Sequence, residues 1–192
     1  SVSDEDGESL SPTYEWTISG NVVGRAAALT LTPSIASVGD TVICTATVTD
    51  GYGGSDSTTA TATVQNTNPT MGSVSISPSG ATVTDEITCS ASGTDLNDGS
   101  LVPAYSWTNA TTNTTLGTDA TLQLDSTISS PEDNITCSVT FTDNNGASVS
   151  DTATITIENT TPVFDVEASI SPTTAYTNTE LVCSATASDV DD

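Results

Sequence analysis

The chain has 192 residues, of which one is basic (Arg25), none is Lys or His, and 25 are acidic, for a formal net charge of −24. That balance excludes nucleic acid and anionic membrane as electrostatic partners, because both require Lys/Arg patches to neutralise phosphate. No apolar run approaches the roughly 18 residues of a membrane span, so no membrane insertion is expected in this segment.

Total charge is only 14%, and Ser, Thr and Asn fill much of the remainder, so the surface is mostly hydroxyl and amide with carboxylates dotted across it. Uncompensated carboxylates keep such a surface hydrated. Salt shortens the range of their mutual repulsion to roughly 3 Å at 1 M. The composition suits a secreted protein in salty water or one that binds divalent cations. Without a signal peptide or an initiator Met, the chain reads as a mature or excised segment.

In chain order, the segments repeat at offsets of 91 to 94 residues. Tyr14-Glu15-Trp16-Thr17 returns as Tyr105-Ser106-Trp107-Thr108, and Leu29-Thr30-Leu31 as Leu122-Gln123-Leu124. The alternating run Val42 to Asp50, which holds Cys44, returns as Ile135 to Asp143, which holds Cys137. Asn66-Thr67-Asn68-Pro69 returns as Asn159-Thr160-Thr161-Pro162. Ser75-Ile76-Ser77-Pro78 returns as Ser169-Ile170-Ser171-Pro172, and Cys89-Ser90-Ala91-Ser92 as Cys183-Ser184-Ala185-Thr186.

The phase of the repeat divides the chain into three parts. Residues 1–67 are the C-terminal half of one repeat, 68–161 a complete repeat, and 162–192 the N-terminal half of the next. Within the complete repeat the pattern predicts strands near 73–77, 82–84, 86–93, 103–109, 120–125, 134–142 and 148–158. Asp143-Asn144-Asn145-Gly146 closes a hairpin between the last two, and Asp50-Gly51-Tyr52-Gly53-Gly54 does the same in the first half. Ala60, Ala62 and Val64, with Ala153, Ile155 and Ile157, form the inward rows of the last strands. Pro78 and Pro172 end the first strand of their repeats. No segment carries a helical period over three turns.

Period-two alternation puts Ile87, Cys89 and Ala91 on one face, and Ile135, Cys137, Val139 and Phe141 on another. Cys, then Trp107, then Cys at inward strand positions is the pattern of an all-β sandwich of immunoglobulin type, repeated in tandem with an inter-sheet disulfide in each copy. Trp16, Trp107, Tyr14 and Tyr105 are assigned to the cores. Pairing Cys89 with Cys137 closes a loop of about 48 residues, worth roughly 4 kcal/mol in the chain-entropy model, and implies an oxidising compartment. Without His or CxxC spacing, the four Cys argue against zinc. Cys44 and Cys183 lack partners inside their own half repeats and are expected to pair across repeat-unit boundaries. Two arrangements fit: a window cut from a longer array, or a segment whose tail completes the head of the next.

These residues resemble the tandem immunoglobulin-like and PKD-like repeats of archaeal and bacterial surface proteins and adhesins. The likeness lies in Tyr105-Ser106-Trp107, the Cys89/Cys137 pair, Asp4-Glu5-Asp6-Gly7-Glu8, and Ser-Pro after the first strand. The resemblance implies a cell-surface or extracellular structural module of a filament, stalk or adhesin, with copies of itself or adjacent repeats as partners. The alternative is a glycan- or protein-binding module that uses exposed loops such as 109–115.

No cofactor is expected other than Ca²⁺. Asp95, Asp98 and Asp143, with Asp4, Asp6 and Asp50 in the first repeat, are hard oxygen ligands in loops that an immunoglobulin-like fold brings to one pole. The same residues also serve as turn formers. Four Asn-x-Ser/Thr sequons, at Asn109, Asn113, Asn134 and Asn159, are candidate glycosylation sites. An enzyme is not expected: with no His or Lys, Ser and Thr have no ordinary base. Arg25, the sole cation, is assigned a surface ion pair.

Overall fold

The computed structural model describes residues 9–191, all of them β-strand, turn or irregular, with no helix. The strands are β1 (Thr13–Ile18), β2 (Asn21–Gly24), β3 (Thr41–Thr49), β4 (Ser55–Thr63), β5 (Thr70–Met71), β6 (Ser75–Ser77), β7 (Glu86–Ser90) and β8 (Gly93–Asp95). They continue with β9 (Gly99–Ser100), β10 (Pro103–Asn109), β11 (Thr114–Gly117), β12 (Thr121–Gln123), β13 (Asn134–Thr142), β14 (Ser148–Thr156), β15 (Val163–Ser171) and β16 (Val182–Ser188). The described pairings are antiparallel. The chain divides into two compact units: 1–69 with 94–100 and 143–147, and 70–93 with 101–142 and 148–192.

The second unit holds a four-stranded sheet, β11-β10-β13-β14, and a three-stranded sheet, β12-β7-β6. The alternation of β13 puts Ile135, Cys137, Val139 and Phe141 on the face that is fully buried. From the other sheet Ile87 and Cys89 enter the same core, joined by Ala81, Val83, Leu122, Leu124 and Ile157. A disulfide between Cys89 on β7 and Cys137 on β13 ties the two sheets. Trp107 lies opposite Cys137 in the β10–β13 register, fully buried, and its indole N–H donates to the Asp119 carbonyl at 2.8 Å. Gly93 is required by close approach: a Cβ there would lie 2.4 Å from the buried Phe141 ring.

The first unit holds the sheet β2-β1-β3-β4, and it reproduces the larger sheet position by position. Trp16 faces Cys44 as Trp107 faces Cys137, and a bulge follows each Trp. Trp16 donates to the Ala26 carbonyl at 2.8 Å. Backbone bonds outside the ladders match as well. Gly39 donates to Val64 and Val64 to Asp40, just as Glu132 donates to Ile157 and Ile157 to Asp133. Arg25 forms an exposed ion pair with Glu15 at 2.6 Å.

The sheets differ in what covers them. Ile18, Ala36 and Val42 close a small core at one end of the first sheet, whereas Trp16, Cys44, Ala46 and Val48 are only half-buried. Ala60 and Ala62, expected to face inward, are exposed, and Val64 is half-buried. Among the described residues no disulfide-tied sheet lies over that face, so the pattern that marks an inward row has nothing to turn toward. By contrast, Ile155 on β14 and Ile157 just past it, from the equivalent row, are buried.

Several predicted boundaries change. Residues 82–84 form a turn, because Asp85 captures the Thr82 N–H. The stretch expected as one strand over 86–93 ends at Ser90, and β8 opens a separate short hairpin with β9. Thr114–Gly117, within and beyond the expected loop, is the edge strand β11. Both Ser-Pro pairs close their strands as expected, β6 at Ser77 and β15 at Ser171. Finally β15 pairs with β16, and Ile170↔Cys183 repeats Ile76↔Cys89 in register.

Gly93→Ala should lower stability by about 1–3 kcal/mol, since the Phe141 ring must move within a packed core. Chemical denaturation followed by Trp fluorescence measures it, and an unchanged midpoint would contradict the close approach.

Candidate functional site

The polar residues that recur with the repeat form two kinds of device. The first sits four residues before each cysteine. Asp40 accepts the Ser37 N–H at 2.8 Å, Asp85 the Thr82 N–H at 2.7 Å, and Asp133 the Ser130 N–H at 2.9 Å. Thr179 does the same with its hydroxyl for Tyr176 at 2.8 Å. Asp, Thr and Ser compete for backbone N–H groups in this way and fix a turn. Each turn launches a cysteine strand, ahead of Cys44, Cys89, Cys137 and Cys183 in order. The Thr82 N–H, and then its hydroxyl, hold the Asp85 carboxyl below the usual carboxylate range. This motif was overlooked in the sequence, although Ser/Thr-x-x-Asp ahead of an alternating run was there to find in three of the four copies.

The second device holds the recurring threonine of Asn66-Thr67 and Asn159-Thr160. Within the first unit, Asn66 donates its amide to Asp143 Oδ2 at 2.8 Å. Thr67 gives its N–H to Asn97 Oδ1 at 3.0 Å and shares its hydroxyl between Asn97 at 2.7 Å and Asp95 at 3.2 Å. Asp95 is locked in turn by the N–H groups of Asn97 and Asp98. Asp98 receives the N–H and the amide of Asn144. In the second unit Thr160 repeats the grip. Its N–H donates to Asp191 at 2.7 Å and its hydroxyl to Asp189 at 3.2 Å. An acidic loop therefore clasps the Asn-Thr segment that precedes it, twice.

Asp143 joins the Asn66 amide to the turn of its own hairpin. Its Oδ1 accepts from Asn145 at 2.9 Å and Ala147 at 2.8 Å, closing the hairpin over Gly146, whose φ of 91° only glycine adopts readily. Asp50 holds Tyr52 and Gly54 in the same fashion. The Asn66 amide holds the Asp143 carboxyl below the usual range; burial opposes it, and the Ala147, Asn145 and Gly146 N–H groups add to it.

Of the expected cation ligands, Asp95, Asp98 and Asp143 belong to one loop cluster, each turned toward N–H, amide or hydroxyl donors. Among the described residues no group of three or more His, Cys, Asp or Glu side chains is placed to hold a metal ion. Asp50 lies in its own hairpin, and Asp4 and Asp6 fall outside the described residues.

The sequons separate by environment. Asn109 is 1% exposed, and its amide donates to Asp133 at 2.7 Å and to the Ile128 carbonyl at 3.1 Å. Its Oδ1 accepts from Thr111 and Thr112, so this Asn is a structural bracket rather than a surface residue. Asn113, Asn134 and Asn159 are exposed. A shallow cleft of about 210 Å³ lies among Pro33, Ala36, Ser37, Val38, Asn97, Asp98 and Asn145, below the roughly 300–1,000 Å³ usual for small-molecule sites.

Comparison with protein-family models, curated proteins and solved structures returns no match for this chain.

The Asn66–Asp143 contact fixes the sign of a pH effect. Because the folded carboxyl titrates below its ordinary value of about 3.9, its contribution is complete above about pH 4 and is lost as the pH falls through the lowered folded value. The difference in melting temperature between the wild type and Asp143→Asn should therefore be constant near neutrality and close on acidification. In Asn66→Ala, carboxyl NMR should show the Asp143 titration moving upward. An unmoved titration would remove the contact.

Proposed function

We propose that the chain is a run of immunoglobulin-type β-sandwich repeats, divided at 1–67, 68–161 and 162–192, serving as a structural module of an extracellular filament, stalk or adhesin. The observation that carries this reading is the second linker clamp. Thr160 meets Asp189 and Asp191 as Thr67 meets Asp95 and Asn97, so the connection between repeats recurs as faithfully as the strands do. A catalytic or binding protein has no need to repeat its linker geometry. A load-bearing or spacing element does, because a freely rotating linker would lose reach and direction.

Other features agree. The Cys89–Cys137 disulfide suits an oxidising, extracellular setting. Among the described residues no helix is long and apolar enough to cross a membrane. The partners of such a module are neighbouring repeats. Its outward carboxylates and hydroxyls keep long arrays from clumping in salty water.

Backbone ¹⁵N relaxation tests the clamp directly. Residues 66–69 should show order parameters near the roughly 0.85 of rigid strands, and values under about 0.6 would rule out a stiff spacer. With a net charge of −24, the melting temperature should also rise as NaCl increases from low salt, through screening of self-repulsion. A flat response would separate charge from stability here.

A further inference from the structure

Three of the Asn-x-Ser/Thr sequons are already engaged in holding the fold. Asn109 is buried and uses both ends of its amide inside the protein. Its sequon threonine, Thr111, accepts the N–H of Asn134 on its hydroxyl. Asn134 opens β13, a strand paired on both sides, with β10 and β14. Its Oδ1 accepts the Thr156 hydroxyl at 3.0 Å, and the hydroxyl of its own sequon threonine, Thr136, is bonded to that of Thr154 at 2.8 Å. Asn159 donates its amide to the Thr160 carbonyl, and Thr160, the middle residue of that sequon, is gripped by Asp189 and Asp191.

Asn113 differs on each count. It is exposed at the end of the turn between β10 and β11, and among the described residues no hydrogen bond engages its amide. Its φ of 58° lies in the left-handed region, which Asn tolerates better than most residues. Its sequon threonine, Thr115, is exposed on β11, the edge strand of its sheet, whose ladder runs to β10. An N-glycosylating enzyme reads the amide and the hydroxyl of Asn-x-Thr on a surface loop. Here both groups are on the surface and both are uncommitted among the described residues.

The site comes with a longer turn. In the first sheet Ile18 faces Asn21, so Ser19 and Gly20 alone join β1 to β2, both at positive φ. In the complete repeat Asn109 faces Thr114, and the turn takes in Ala110 to Asn113. The short turn has no sequon, and the long one supplies it.

We infer that Asn113 is an N-glycan acceptor, taking a saccharide delivered on a lipid phosphate. The inference is separate from the filament, stalk or adhesin reading and asks only that the chain be exported, which the Cys89–Cys137 bond suits. Asn113 Nδ2 attacks the anomeric carbon of the saccharide. A C–N bond forms as the bond from that carbon to the phosphate oxygen breaks, and the lipid phosphate leaves with the electron pair. The amide nitrogen gives one of its two protons to a base of the transferring enzyme, and nothing is oxidised or reduced. The product stands beside β11, whose Thr-Thr-Leu-Gly run carries no charge or Pro to discourage pairing with other strands.

The test is secretion of the 192-residue chain from a eukaryotic expression host, whose lipid-linked saccharides supply the donor. Intact mass and fragmentation of reduced Glu-C peptides locate the modification. Cleavage after Glu86, Glu132, Glu158 and Glu167 puts Asn109 and Asn113 in one peptide, Asn134 in the next and Asn159 in a third. The expected result is a saccharide on most chains, in the 87–132 peptide, placed on Asn113 by electron-transfer fragmentation. Thr115→Ala should abolish it and Thr115→Ser should keep it. Both substitutions fall on an exposed side chain, and a Cys89–Cys137 peptide pair in the unreduced digest checks that each variant has folded. A folded chain secreted at its unmodified mass would overturn the inference. So would occupancy at Asn109, Asn134 or Asn159 equal to or above that at Asn113, or a saccharide that survives Thr115→Ala.

Discussion

The core of the second unit is assembled from Ala, Val, Ile, Leu, one Trp and one Phe, and the bond between Cys89 and Cys137 is the constraint on which the rest depends. It joins the central strand of one sheet to an inner strand of the other and restrains a sequence separation of 48 residues. Such a restraint removes roughly 4 kcal/mol of disorder from the unfolded chain, a large share of the 5–15 kcal/mol by which domains are stable. Trp107, as the cross-strand neighbour of Cys137, sits where the two sheets meet. Where the matching link is missing, at Trp16 and Cys44, the same residues in the same register are half-open.

Carboxylates do a second kind of work. With so little positive charge available, the aspartates of the turns and hairpins answer to backbone N–H groups, amides and hydroxyls. Asp40, Asp85 and Asp133 each pin the turn before a cysteine strand. Asp50 and Asp143 each close a hairpin. For Asp85 and Asp143 these donors hold the carboxyl below its usual range.

The strands that carry chemistry in the sequence were the legible ones. Alternation in Ile135 to Phe141 fixes its face, and the Trp–Cys register follows from the repeat. Residues without apolar alternation were not legible: β11 is Thr-Thr-Leu-Gly, and its pairing is supplied by its neighbour β10 rather than by its own pattern. The stretch 82–84 alternates well enough for a strand, but Asp85 outcompetes the ladder for the Thr82 N–H. Asn109 looked like a surface sequon because its burial depends on Asp133 and Ile128, residues that sequence proximity does not place beside it. The acidic loop was recognised as special, whereas its engagement with Thr67 depends on a residue nearly thirty positions earlier.

The ion pair of Arg25 with Glu15 has a consequence outside stability. Trypsin-like proteases cut after Arg or Lys, taking the cation into an acidic pocket, and this chain offers them one such bond, between Arg25 and Ala26. The guanidinium that the protease must capture is already held by Glu15, and the carbonyl of Ala26 is held by the Trp16 indole. A digestive environment rich in such enzymes would find almost nothing here to cleave, and the single scissile bond is braced on both sides.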